Sequence, residues 1–308
     1  MEPIALREGR YVLVRPLGEG SQAETFEAVD KGEGRLVAVK RFRVGAAKAW
    51  KDVELAEREA KTLATLAHDT LPAYVEHFEE DGALFLVMER IEGESLAVLR
   101  KRGGLGVREI VRLLEDAARA LAYLHGRSPP VIHRDIKPSN VLRRKDGSFA
   151  FVDFGAVRDR LKPEGGSTVV GTFGYMAPEQ FQGRATPASD VYGVGAAALA
   201  LLTGCEPEDL PHRGLGIDVA RAAPKTTPGA LVRALEAMLE PDPERRAASV
   251  DEALAELRRV PLDDRPRDRR RSGDDPSDRR LAHARPTAPP PLAVRGAVHA
   301  ALFVARLA

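Results

Sequence analysis

Residues 131–155, VIHRDIKPSNVLRRKDGSFAFVDFG, constrain this chain of 308 residues more than any other stretch. Two short apolar runs, 131–132 and 149–152, flank a polar segment, and Lys145-Asp146-Gly147 supplies a turn between them. The polar groups are a carboxylate (Asp135), a lysine two residues on (Lys137), an amide (Asn140) and, past the second run, another carboxylate (Asp153). One carboxylate can accept a proton from a hydroxyl. An amide and a carboxylate together offer oxygen ligands to a hard cation such as Mg2+. That set suits phosphoryl transfer, where catalysis is mostly positioning and charge neutralisation. Asn140 is the only asparagine in the chain, and it falls where a neutral metal ligand is needed.

Upstream, residues 11–44 alternate between apolar and polar and are broken by glycine, which predicts three antiparallel strands over 11–14, 25–29 and 36–42. Between the first two lies LGEGSQAET, residues 17–25, where glycine lets backbone N–H groups come close to phosphate oxygens. By itself Gly18-x-Gly20 equally describes an ordinary hairpin turn. Residues 48–67 predict a helix with Leu55, Glu59, Leu63 and Leu66 on one face, whereas Glu54, Glu57, Arg58 and Lys61 point away. Glu59 is then either a rim residue or a buried carboxylate in need of a partner. A strand is predicted over 84–88, and helices over 107–125, 191–202, 231–239 and 250–260. Residues 205–228 are loop-rich and fit no element.

His133-Arg134-Asp135 with Asn140, followed by Asp153-Phe154-Gly155, resembles the protein kinase signature set, in its bacterial (Hanks-type) serine/threonine form. The resemblance runs outward over roughly residues 10–260 through five motifs in order. It implies an α+β, bilobal fold: a small antiparallel-sheet lobe with one key helix over about residues 8–90, and a mainly helical lobe over about 91–260. The kinase domain is accordingly placed at residues 1–260. The resemblance also implies that ATP binds between the lobes. Leu17, Gly18, Glu19, Gly20, Ser21, Gln22, Ala23, Glu24 and Thr25 would cover it, Ala38 and Leu142 would sandwich the adenine, and backbone groups of Glu89 and Ile91 would meet its edge beside Met88. Lys40 of Val37-Ala38-Val39-Lys40 would hold the α/β-phosphates, braced by Glu59. Asp135 would take the proton of the substrate hydroxyl, Lys137 would neutralise the γ-phosphate, and Asn140 and Asp153 would hold Mg2+. A lysine two residues after the catalytic aspartate is the serine/threonine pattern. Ala23 and Thr25 depart from it, standing where the family has its third glycine and an adenine-packing valine.

The same resemblance implies an internal column of Leu63, Tyr74, His133 and Phe154. Residues 171–179, ending Tyr175-Met176-Ala177-Pro178-Glu179, resemble the close of an activation segment. Glu179 would pair with Arg246, Asp190 would hold the catalytic-loop backbone, His125 would be structural, and Thr172 would hydrogen-bond near the catalytic aspartate. Arg134, beside Asp135, suggests a phosphate switch on Ser167 or Thr168, set in trans by a homodimer. Two other classes compete: a pseudokinase, which would lack Lys40, Asp135 or Asp153, and a small-molecule kinase, which would lack residues 171–179. This chain has all of these.

The net charge of +1 combines a tail from residue 261 with ten Arg and six Asp and a slightly acidic remainder, and nothing in it argues for nucleic acid as the main partner; protein substrates are what the kinase resemblance implies. A single cysteine, Cys205, excludes an internal disulfide framework. No apolar signal region opens the sequence and its longest apolar run is too short for a membrane span, so a cytoplasmic protein is expected. Residues 261–291, rich in Pro, Arg and Asp, predict a disordered linker. Residues 292–308 turn apolar with Arg295, His299 and Arg306 near one face, which predicts a short amphipathic helix or a frayed tail.

Overall fold

The alternating segments near the N-terminus do pair into a sheet. The computed structural model describes residues 4–20, 23–42, 49–154 and 174–259. Six strands, β1 (Ala5–Leu6), β2 (Tyr11–Glu19), β3 (Ala23–Asp30), β4 (Arg35–Phe42), β5 (Tyr74–Glu80) and β6 (Ala83–Glu89), form an antiparallel sheet in the order β1-β2-β3-β4-β6-β5. The strands at the glycine-containing turn are longer than the sequence predicts, because Gly18 still pairs with Thr25 and Glu19 with Glu24. Register shifts on either side of Pro16, which has no N–H to give, let β2 bend as it continues. Thr25 also pairs with Lys40, so Gly18, Thr25 and Lys40 lie in one row across three strands.

Strand β5 lies outside the strands that the sequence predicts. Its sequence, YVEHFEE, does not alternate, because an inner position holds the carboxylate of Glu76, which accepts the Tyr11 hydroxyl and pairs with Arg7 and Arg10. Between β4 and β5 runs helix α1 (Ala49–Ala64), which buries Ala56, Glu59, Ala60 and Leu63, with Leu66 just beyond. The side chain of Leu55 lies outside the described residues.

After β6 the periodicity becomes helical. Strand β7 (Gly93–Ser95) leads into α2 (Leu96–Lys101) and α3 (Val107–His125). A three-stranded sheet then forms from β7, β8 (Val141–Arg144) and β9 (Phe149–Phe151). Helix α4 (Pro187–Thr203) follows, buried at every position from Ser189 to Leu201. It begins four residues before the expected apolar run, because Pro187 at its first position has a preset backbone angle and no N–H to leave unpaired. Gly193 and Gly195 face neighbours so close that added β-carbons would meet the Ile136 carbonyl at 3.1 Å and Met238 at 2.9 Å. Two glycines thus let the loop around Ile136 and a later helix pack directly on the α4 backbone.

Residues 205–228 contain a 3₁₀ turn (Pro207–Asp209), the hairpin β10 (His212–Arg213) with β11 (Gly216–Ile217), and the short α5 (Val219–Ala222). Helix α6 (Gly229–Met238) matches expectation. Helix α7 (Val250–Leu254) is shorter than expected and tightens into a 3₁₀ turn (Leu257–Arg259), a common way for a helix end to satisfy its last carbonyls. Among the described residues no helix is long and apolar enough to cross a membrane. The expected linker (261–291), the expected terminal helix (292–308), and Ser21, Gln22, Ser167, Thr168 and Thr172 lie outside the described residues.

Candidate active site

Glu59 is not a rim residue. It is 2 % exposed, and its carboxylate receives Lys40 Nζ at 2.7 and 3.0 Å. Lys40 also reaches Asp153 Oδ1 at 2.6 Å, so one ammonium bridges two carboxylates from opposite lobes. Burial works against the charge on Lys40, but Glu59 and Asp153 outweigh it and hold its pKa above the usual lysine value. Burial pushes the Glu59 carboxyl up, with Lys40 pulling the other way. Asp153 remains about half exposed and adopts φ +70°, left-handed backbone that a short polar side chain tolerates.

The loop that carries Asp135 hangs from α4. Asp190, 1 % exposed, accepts the His133 N–H at 2.8 Å and the Arg134 N–H at 2.7 Å, while His125 Nε2 lies 2.8 Å from the same carboxylate. His125 is therefore structural, as expected. Arg134 sits at φ +68°, which is unfavourable for a long side chain. It is held there from both sides, by Asp190 at its N–H and by Gln180, whose Nε2 donates to its carbonyl at 2.9 Å. The only sequence signal of Gln180 is its place directly after Glu179.

Held in this way, Asp135 receives Asn140 Nδ2 at 3.0 Å and Lys137 Nζ at 2.8 Å on one carboxylate oxygen. Asn140 also donates to the Asp135 carbonyl at 2.9 Å, which fixes its amide. Its Oδ1 is therefore the acceptor turned away from Asp135, and the Ser139 hydroxyl reaches it at 3.1 Å. Asn140 Oδ1 with the Asp153 carboxylate is an all-oxygen donor pair, suited to a hard divalent cation whose other ligands are phosphate oxygens and water. Among the described residues no group of three or more His, Cys, Asp or Glu side chains could hold a metal alone.

The residues expected to wall a nucleotide come from both sheets. Ala38 is buried and pairs with Met88 across the sheet, and Leu142 pairs with Ala150 in the opposite lobe. Ala23 is buried and pairs with Phe42. Leu17 stays exposed at the open edge. Ile91 is buried, and the Glu89 N–H is already committed to the Ala73 carbonyl at 2.7 Å, so of the Glu89 backbone groups only the carbonyl is left for a base. Arg90 runs from this connection back to Glu27 on β3, a tie that its sequence did not announce. Of the expected column, Leu63, His133 and Phe154 are buried, with the His133 and Phe154 rings 4.9 Å apart, and Tyr74 is half-buried against the same cluster.

Below the site, Arg246 is fully enclosed and binds Glu179 through two bonds, at 2.7 and 3.0 Å. Tyr175 donates its hydroxyl to Glu206 at 2.6 Å, and Arg100 meets the same carboxylate.

The protein kinase domain family matches residues 11–256 of this chain. Among curated proteins, the chain is similar to the serine/threonine-protein kinase PknA of Nostoc sp., 36 % identical over 68 % of this chain and 40 % of the relative. It is also similar to the serine/threonine-protein kinase F of Synechocystis sp., 32 % identical over 81 % of this chain and 55 % of the relative. The serine/threonine-protein kinase PknA of Mycobacterium tuberculosis is 36 % identical over 65 % of this chain and 48 % of its own length. The chain thus spans about half or less of the length of these relatives.

Proposed function

Because the chain belongs to the protein kinase domain family, we propose that it is an ATP-dependent serine/threonine protein kinase acting on protein hydroxyls. The observation that carries this reading is the convergence of Asp135, Lys137 and Asn140 with the Lys40–Glu59–Asp153 bridge. ATP would enter between Ala38 and Leu142, its phosphates under residues 17–25. Lys40, braced by Glu59, would exchange its bond to Asp153 for the α/β-phosphates. Asn140 and Asp153 would hold Mg2+, which when bound neutralises charge on the phosphate oxygens. Asp135 would orient the acceptor hydroxyl and take its proton as the new O–P bond forms and the bond from the γ-phosphorus to ADP breaks. Lys137 would balance the negative charge on the transferred group. A cytoplasmic location and a homodimer fit the same reading.

The test is transfer of label from γ-labelled ATP with Mg2+, to the purified chain itself and to a general acceptor such as casein. Nucleotide binding without any transfer would mark the chain as a pseudokinase, and this reading would be wrong.

Two further outcomes are expected. Glu59→Ala should lower kcat/KM by about 10²-fold, since Lys40 loses the brace that sets its position and small misplacements cost that much. Glu57→Ala should leave it unchanged, because among the described residues Glu57 forms its ion pair with Lys61, on the surface. Steady-state kinetics on the two variants checks both. Secondly, autophosphorylation should map by mass spectrometry to Ser167 or Thr168, where a phosphate would give Arg134 a bidentate acceptor. A Ser167→Ala/Thr168→Ala variant should then stay at the slow initial rate that the parent leaves behind.

A further inference from the structure

Strand β6 ends at Glu89, whose ladder partner on β4 is Val37, and the next ladder begins at Gly93, opposite Arg144. Residues 90–92, the connection between the lobes, lie between the two ladders, and side chains tie them to both sheets. Arg90 pairs with Glu27 on β3 and meets Glu92 at 3.1 Å. Glu92 in turn receives Lys145, in the turn after β8, at 3.0 Å. At the other end Glu27 accepts two bonds of 3.1 Å from Arg15 on β2. Five charges of alternating sign, Arg15, Glu27, Arg90, Glu92 and Lys145, run from one sheet across the connection to the other.

The links are not equal. Glu27 is 6 % exposed, and a carboxylate so enclosed keeps its charge only with partners at hand. Arg15 grips it with a fork of two bonds, and Arg90, itself mostly buried, adds a second guanidinium. Glu92 and Lys145 stand largely in water, where an ion pair contributes little. The anchor of the chain of charges is therefore Glu27.

The place of that anchor gives it a task. Arg15, Glu27, Ala38 and Met88 lie in register across β2, β3, β4 and β6. Residues directly opposite on neighbouring strands share one face of the sheet. Glu27 is thus beside Ala38, on the face where Ala38 would roof the adenine. One carboxylate then joins the strand next to that roof to the connection whose Glu89 carbonyl and Ile91 backbone would meet the edge of the base. We propose that Glu27 is a positioning residue for the base: through Arg90 it sets the spacing between roof strand and connection, and so the width of the slot that receives adenine. Only the identity of the occupant rests on the kinase reading.

Calorimetric titration of the purified full chain with ATP and with adenosine tests this apart from any transfer. Glu27→Gln keeps the size and loses the charge, and Arg90→Gln removes the other partner. Each should weaken both ligands by about tenfold, the size of effect expected of a residue that acts through its neighbours without touching the ligand. The double variant should be no weaker than either single one, because the two residues form one link. Lys145→Ala should bind as the parent does, since its pair lies in water. Steady-state kinetics should show the same rise in KM for ATP with kcat near the parent's. Losses that add in the double variant, a loss confined to ATP, an equal loss in Lys145→Ala, or unchanged binding in Glu27→Gln would each overturn the proposal. So would a Glu27→Gln variant whose melting temperature and kcat fall along with its affinity, since the residue would then only hold the fold. A parent that binds both ligands but transfers nothing would sink the kinase reading and leave the positioning role standing. A parent that binds neither would sink both.

Discussion

Asp135→Asn is expected to lower kcat by about 10²–10⁴-fold while leaving ATP affinity and melting temperature near those of the parent. The contacts explain the split. Asp135 is anchored by Asn140 Nδ2 and Lys137 Nζ on one oxygen, and an amide oxygen can accept both. The replacement keeps the size and those two bonds but cannot take a proton. It lies in the lobe opposite Lys40, so the groups proposed for the phosphates remain untouched. Steady-state kinetics beside a nucleotide-binding titration checks the result. A variant that kept turnover near the parent's would show that the proton leaves by another route.

The largest effect on stability is expected at Arg246. Its guanidinium gives two buried bonds to Glu179 and further, partly buried ones to the carbonyls of Ala188, Glu240 and Pro241. Arg246→Met leaves the Glu179 carboxylate buried with Ser189 as its remaining side-chain donor, at a cost of ~3–5 kcal/mol. Replacing both as Glu179→Leu/Arg246→Met should return much of the loss, because an apolar pair needs no such bonds. The dependence on pH separates the cases. Burial alone would raise the Glu179 pKa, but the bonds from Arg246 and Ser189 outweigh it and hold it below the usual 4.5. A carboxyl depressed in the folded state stabilises above its unfolded pKa, and that contribution is lost as pH falls through the folded value. The parent should therefore lose this share of stability on acidification below about pH 4.5. In Arg246→Met burial acts nearly unopposed, so the deficit should shrink as pH falls and the carboxyl takes a proton. Urea midpoints of the three proteins across that range measure it.

Residues 131–155 could be read because their chemistry is concentrated in sequence. Asp135, Lys137 and Asn140 lie within six residues and meet through local turns, so spacing alone brought them together. Glu59 could be read because one carboxylate interrupted an apolar stripe, although naming Lys40 as its partner took the family resemblance. The strands around residues 17–25 were underestimated, since glycine signals a turn and hides that Gly18 continues the ladder. Strand β5 escaped because Glu76 takes an inner position that a pattern reader assigns to an apolar residue. Gln180 and Arg90 escaped for another reason. Each acts on a main-chain or side-chain partner more than forty residues away, and no local pattern encodes that pairing. The hairpin at 212–217 had its glycines in view, but strands of two residues leave no alternation to read.

The carboxylate of Asp190 ties the exchange behaviour of the site to that of the core. Amide hydrogens leave for solvent only when their bonds open, and the free energy of that opening ranges from almost nothing in fraying loops to the full unfolding value in core elements. The His133 and Arg134 amides belong to a loop, yet their acceptor rides on a helix buried from Ser189 to Leu201. Their bonds cannot open without either shedding a buried carboxylate or moving α4. Their protons should therefore exchange as slowly as those of the core, next to loop neighbours that exchange fast. In a deuterium-labelling experiment these two positions would act as a gauge of core integrity at the site where the chemistry is proposed to occur.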